Sequence, residues 1–428
     1  MKIFNTDEIN EFLNKKNYDI RKTNNARWID QKCTPDVCSI VADCIVKFLE
    51  DEGNKSISSI FSSKDIWFSE YAKGNVEEIF KKANVTSKSS KNEYDKFFQQ
   101  PMKLFAYAKI LNETKIGQRN LFNVLDLRLL KYIAIAPKYA LHFLQIYIEK
   151  VLKDSDLLAI FNNFFNFPNE VNFNETKNTF YYFTKEYTNI GSKTSSNNTI
   201  SKPGYVECGR IFTKIINPLA FKNDSVGTKN GKLSRKKITY DMLMYNRDNF
   251  RDIYSEKPKD MSRKDYENSI ELSPNKKYYK YSSSKAKQFI RDFNAEYRDG
   301  MTELLEHDEQ HIQALHMHHI FPESKFPEIA DYLENIIAIT PNQHYVRIHP
   351  MNKTNEVDSF YQYLCLISKA DRIKENLENN SIETIYDFQK FMYVISFALN
   401  DDDYLEINKY DYEAVKAKLK MSYGIKCN

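Results

Sequence analysis

The sequence predicts an α+β chain that is mainly helical, with a helical N-terminal domain and a C-terminal domain built around a short strand–strand–helix unit flanked by helices. Three observations lead there. Apolar residues recur at helical spacing through most of the first 188 residues. Two short apolar runs flank a polar turn at Gly117, the pattern of a β-hairpin. Five of the eight histidines fall between His316 and His349, in a segment that reads as strands and then caps as a helix.

The helical signals come in order. Thr34-Pro35-Asp36 is a helix start: a capping Thr, Pro in the first turn and an acid at the positive end of the dipole. Val37, Ile40, Val41, Cys44, Ile45, Phe48 and Leu49 then repeat at helical spacing until Gly53. A second helix is expected after Ser62-Ser63, carrying Ile66, Trp67 and Tyr71, and a third over 92–110, interrupted by Pro101. The hairpin is expected over 109–125. Three helices and a hairpin, over about 34–125, follow the order of a winged helix-turn-helix, which would bring Lys103, Lys109, Lys115, Gln118 and Arg119 near the recognition helix and wing tip, placed to meet phosphates. The same lysines also suit an ordinary solvated face. Residues 127–165 read as packed helices closing this domain.

Residues 189–204, NIGSKTSSNNTISKPG, are nearly free of large apolar side chains and read as a linker or long loop. That gives a recognition domain over 1–188 and a second domain over 205–428. The second begins with two segments that interleave Lys and Arg with Tyr and Ser, 229–237 and 276–287. Arg235, Lys236, Lys237, Lys276 and Lys277 are their candidate phosphate contacts, though a solvated loop has the same composition.

Size and composition bound the rest. At 428 residues, two or three domains are expected. A net charge of +4 permits nucleic-acid binding without signalling it. The six cysteines form no C-x-x-C pair and sit largely in apolar helical patterns, so buried thiols in a reducing cytoplasm are expected rather than a Cys₄ zinc site. The N-terminus lacks the apolar core of a signal peptide, and no uncharged apolar run is long enough to span a membrane.

The histidine segment carries the chemistry. Residues 313–324, QALHMHHIFPES, read as a strand with His316 and His318 on one face and His319 on the other. Residues 332–339 read as a second strand. Thr340-Pro341-Asn342-Gln343 then forms a capping box, which sets His344 in the first turns of a short helix stopped by Pro350.

This order resembles the HNH, or ββα-metal, nuclease superfamily, with His318-His319 as the His-His pair, Asn335 as the central Asn and His344 as the final His. The stretch NIIAITPNQH is similar to that of colicin-type DNases, and HHIFP, ENIIAITPNQH and HPMNKT together look most like HNH-type restriction endonucleases. The resemblance covers about 313–350. It implies a general base at His319, a divalent ion held by His318 and His344, and a supporting Asn335 that orients the base. Mg²⁺ is the expected ion, with Mn²⁺ or a later transition ion able to replace it in vitro.

It further implies a type II restriction endonuclease acting on double-stranded DNA in the cytoplasm, a homodimer when cutting, and a cognate DNA methyltransferase in the same system. A nonspecific nuclease acting as toxin or antiphage effector, and a DNA-binding regulator with a decayed HNH unit, are the alternatives. Three residues stand outside the pattern, as supports behind the ligands or as phosphate contacts: His316, Arg347 and His349. Colicin-type sites place a further histidine four residues after the final one. His349 is five after His344, which on an α-helix is about 500° and a different face.

Overall fold

The computed structural model describes residues 4–51, 59–80, 91–188, 190, 202–245, 276–304, 312–349 and 357–425. It is α+β and mainly helical, with three two-stranded antiparallel sheets among the described residues. The chain divides into two compact units, Phe4–Glu271 and Leu272–Asn428. The division expected at 189–204 is therefore displaced toward the C-terminus. The reason is that 205–222 belong to a long helix packed on the N-terminal helices. Most of 189–204 lies outside the described residues.

The first unit begins with α1 (Thr6–Asn14) and α2 (Ile20–Thr23). Its centre is α3 (Pro35–Asp51), whose Val37, Cys38, Val41, Cys44 and Ile45 are fully buried. The single helix expected after Ser62 is two. In α4 (Ser63–Trp67), Ser62 and Asp65 form a reciprocal capping box, and α5 (Glu70–Phe80) follows. Then comes α6 (Lys91–Tyr107), which runs through Pro101 rather than breaking there. Buried Phe97 and Phe98 before the proline, and Met102, Leu104 and Phe105 after it, anchor both halves, so packing outweighs the lost rung of the ladder.

The hairpin is β1 (Leu111–Ile116) and β2 (Arg119–Val124), turning at Gly117 with φ +59°. A third backbone segment joins it. Phe61 and Phe122 exchange both backbone hydrogen bonds, at 2.9 and 2.7 Å. The unit continues through α7 (Leu127–Ile135), α8 (Pro137–Asp154), α9 (Leu158–Asn166) and α10 (Glu170–Tyr187). Next come α11 (Lys202–Lys222) and a second hairpin, β3 (Val226–Lys229) with β4 (Lys232–Lys237).

The second unit opens with α12 (Lys276–Tyr297), which packs across β5 (His316–His319) and β6 (Ile336–Ile339). These strands are shorter than the sequence suggests, because Leu333–Asn335 form a 3-10 turn ahead of β6. A π-helical turn, Gln343–Ile348, follows β6, and α13 (Ser359–Glu378), α14 (Phe388–Leu399) and α15 (Tyr412–Ser422) complete the unit. Among the described residues, no helix is long and apolar enough to cross a membrane.

Candidate metal centre and active site

Strand pairing sets the site. His316, His318 and His319 stand opposite Ile339, Ile337 and Ile336, so a wholly apolar strand backs the histidines. The free edge of β6 is covered by 302–304: Glu303 N–H donates to the Ala338 carbonyl and Ala338 N–H donates to Glu303 Oε2, both at 2.7 Å. Glu303 is in turn clamped by Lys369 of α13 at 3.1 Å and by Arg298 at 3.3 Å. Burial alone would raise the Glu303 carboxyl, but Lys369 and Arg298 outweigh it and hold it below the usual range.

The turn after β6 is fixed by the expected capping box. Gln343 N–H donates to Thr340 Oγ1 at 3.1 Å, and Thr340 N–H donates to Gln343 Oε1 at 3.0 Å. Gln343 also receives the Thr302 hydroxyl at 2.7 Å and donates to Leu304 O at 3.1 Å. From that anchor the backbone widens to i→i+5 spacing, which brings a fifth residue back toward the same face. His349, expected on a different face from α-helical geometry, is therefore beside His344, with ring centroids 4.8 Å apart.

His318, His344 and His349 offer ligand atoms that all lie within 4.8 Å of one another. His318 is 6% exposed and His349 3%. Two of the nitrogens, His318 Nε2 and His344 Nδ1, are buried without any hydrogen-bond partner, which costs about 1–3 kcal/mol apiece unless something binds them. Burial, reinforced by the neighbouring histidines and Lys287, pushes His318 well below its ordinary value and His344 down to about 4. Both are thus neutral lone-pair donors at pH 7. The donor set fits a divalent metal: three imidazoles leave coordination positions open, unlike the closed four-ligand structural site.

His319 faces different partners. Its Nε2 lies 2.9 Å from the Ala330 carbonyl and 3.2 Å from Ser283 Oγ of α12. Ser283 donates to Glu323 Oε2 at 2.8 Å, and that carboxylate is 4.0 Å from His319 Nδ1. Burial, then Lys287, push His319 down to about 3, against the raising effect of the Ala330 bond. Asn335, fully buried, spans the loop between the strands. It accepts from Phe321 N–H at 2.9 Å and donates to Phe321 O at 3.1 Å and Ile329 O at 3.2 Å. Gln362 of α13 adds a bond to Ile320 O at 2.7 Å, so the backbone that follows His319 is tied.

The other expected residues are dispersed. His316 stacks on His344, 4.6 Å between centroids and 13° between planes, and is half-buried. Arg347 is exposed on the π turn. Lys115, Gln118 and Arg119 are exposed around the β1–β2 turn, while Lys103 lies 4.0 Å from Glu113 of the hairpin. Lys109 is exposed with φ +68° at the end of α6. Arg235, Lys236 and Lys237 are exposed on β4, the last paired with Asp224. Lys276 and Lys277 open α12, and their side chains lie outside the described residues.

Sequence reasoning missed Ser283, Lys287 and Glu323, which lie within segments it singled out without being singled out themselves, and Glu303 and Lys369, which lie in no recognisable motif. It also missed the second hairpin, for which a local signal existed: Asn230-Gly231, both with positive φ, is a two-residue hairpin turn. No family model matches the chain, and neither a curated protein nor a solved structure does.

Proposed function

We propose that this chain is a metal-dependent DNA endonuclease of HNH type, its site formed by His318, His319, Asn335, His344 and His349. One observation carries the reading: a cluster of three imidazoles, two with buried unpartnered nitrogens, beside a fourth whose orientation is fixed by a backbone carbonyl. A histidine core that served only packing would satisfy those nitrogens.

His318, His344 and His349 would hold the divalent ion, expected to be Mg²⁺. When bound, it supplies Lewis-acid stabilisation of the scissile phosphate and the departing 3′ oxygen. His319 takes the proton from the attacking water on Nδ1, the ring nitrogen not engaged by Ala330. Glu323 stands near enough to offset the imidazolium that forms. Asn335 keeps the loop, and through it Ala330, in register with the base.

Selection of DNA sites falls to the other unit on this reading. The run α3, α4, α5, α6 and the β1–β2 hairpin supports a winged helix-turn-helix reading, with the single-residue bridge between Phe61 and Phe122 standing where a wing sheet would have its third strand. On α6, Lys96, Gln99 and Lys103 follow one partly exposed stripe suited to a groove. A sequence-specific type II restriction enzyme fits best. It would cut double-stranded DNA as a homodimer, one ββα site per strand, in the cytoplasm and alongside a cognate methyltransferase.

The test is plasmid incubation with Mg²⁺, using wild type and His319→Ala. Discrete fragments from wild type alone support the reading. A smear points to a nonspecific nuclease, and binding without cleavage to a regulator with a decayed site. Equal cleavage by His319→Ala would refute the assignment of the base.

A further inference from the structure

A second site stands in the N-terminal unit, around the β3–β4 hairpin. The hairpin, α11 and residues 242–245 enclose a pocket of about 660 Å³. That is the size of pockets that take small organic ligands, and far larger than a lone inorganic anion needs. Lys229, Lys232, Arg235 and Lys236 line it, and no carboxylate does among the described residues. None of these four pairs with an acid among the described residues, although Lys237 next to them does. Its lining also includes Met242, Met244 and Tyr245, an apolar and aromatic part of the wall.

The frame holding the cations is built with care unusual for a solvated charge run. Asn217 of α11 donates to Thr228 O at 3.0 Å and accepts from Thr228 N–H at 2.8 Å. Ser234 accepts from Gly227 N–H at 3.0 Å and donates to Lys236 O at 2.7 Å. Lys177 of α10 donates to the Gly231 carbonyl at 2.6 Å, fixing the turn. Gly227 is required for this seating, since a Cβ there would stand 2.5 Å from Asn217 Oδ1. Tyr245 is fixed too, its N–H donating to Asp36 at 3.0 Å and its hydroxyl accepting from buried Lys32. A small adjoining cavity shares Thr213, Lys214, Asn217 and Met242 with the pocket and is lined by Thr34, whose buried hydroxyl has no partner.

We propose that this pocket binds a single nucleotide, its phosphate on the Lys229–Lys232–Arg235–Lys236 cations and its base against Met242, Met244 and Tyr245. Cations without acids select a phosphate, and the apolar and aromatic part of the wall suits a heterocycle. A free nucleotide and a nucleotide swung out of duplex DNA present the same chemistry; only the second source rests on the nuclease reading.

The experiment uses the full chain in EDTA, so that it needs no cleavage. Each deoxynucleoside 5′-monophosphate is titrated by calorimetry, with the deoxynucleosides as controls. In parallel, a random-sequence duplex pool containing 2-aminopurine in place of adenine is followed by fluorescence. Both are repeated with Arg235→Gln/Lys236→Gln, whose exposed side chains leave the melting temperature unchanged. Saturable monophosphate binding, weakened about tenfold or more in the variant and without the phosphate, establishes the pocket with a free ligand. No monophosphate binding, but a rise in 2-aminopurine emission that the variant loses, establishes it with a DNA nucleotide. The absence of both signals, or signals equal in the variant, would overturn the proposal.

Discussion

His319 Nε2 stands 2.9 Å from the Ala330 carbonyl oxygen, a group that can only accept. The neutral ring must therefore carry its proton on Nε2 and keep the lone pair on Nδ1. On the proposed role of His319 as general base, its removal should cost what such catalysis usually supplies, about 10²–10⁴-fold in the single-turnover rate of DNA cleavage. His319→Ala should show that loss with DNA affinity and metal affinity unchanged. If affinity fell in step with rate, His319 would be a ligand or a DNA contact instead.

Metal affinity separates His349 from His316. His349→Ala should weaken Mn²⁺ or Zn²⁺ binding by at least the tenfold to hundredfold that loss of a supporting partner already costs at metal sites. It should also shrink the metal-induced rise in melting temperature. His316→Ala should change both less, because its ring stacks on His344 and lies outside the three-ligand cluster. Calorimetry on protein stripped of metal gives the comparison directly.

The buried Glu303–Lys369 pair should make the C-terminal unit sensitive to acid. The folded Glu303 carboxyl titrates below its ordinary value of 4.5, despite the opposing effect of burial. Its contribution to stability is thus present above pH 4.5 and lost as pH falls through the lower folded value. Glu303→Gln should flatten that part of the acid-unfolding profile and cost about 3–5 kcal/mol at pH 7, since it leaves Lys369 buried without its counter-charge. Glu303→Leu/Lys369→Met should recover much of the loss. Amide exchange at Ala338, whose N–H Glu303 accepts, reports the change locally.

At the other unit, Lys115→Ala/Arg119→Ala should weaken DNA binding about equally for all sequences. It should also reduce the salt dependence by about one unit of log–log slope for each phosphate that is no longer neutralised. Lys103→Ala should change the slope less, because Glu113 already lies 4.0 Å from its ammonium. An unchanged slope in the double variant would exclude the hairpin tip from the DNA surface.

Local chemistry makes much of this legible. Pro35, Thr340 with Gln343, and the Gly117 turn each specify a backbone event through residues at most a few positions apart, and each element forms where those residues place it, although the Thr34 hydroxyl expected to cap the helix has no partner and only its carbonyl joins the first turn. The apolar strand Ile336–Ile339 likewise foreshadows burial of the histidines. What stays hidden depends on distance along the chain or on helix type. Glu303 meets Ala338 across 35 residues and Lys369 across 66, and nothing near Glu303 announces either partner. The contact on His319 comes from a backbone carbonyl, which has no residue identity to read. Spacing converted to angle with α-helical geometry puts His349 on the wrong face, because the turn is wider than that. The unit boundary moves because a polar, serine-rich stretch looks alike whether it joins two domains or two helices of one.

That wider turn has a genetic corollary. Between His344 and His349 it accommodates one residue more than an α-helical turn, and the two histidines meet because of it. Deleting a single codon from Tyr345 to Ile348 would let the segment relax to an ordinary helix with the histidines four apart, again on one face. Inserting one would separate them. The centre should therefore tolerate a one-codon deletion here better than a one-codon insertion, and in-frame indels in this stretch are a more informative library than point mutations.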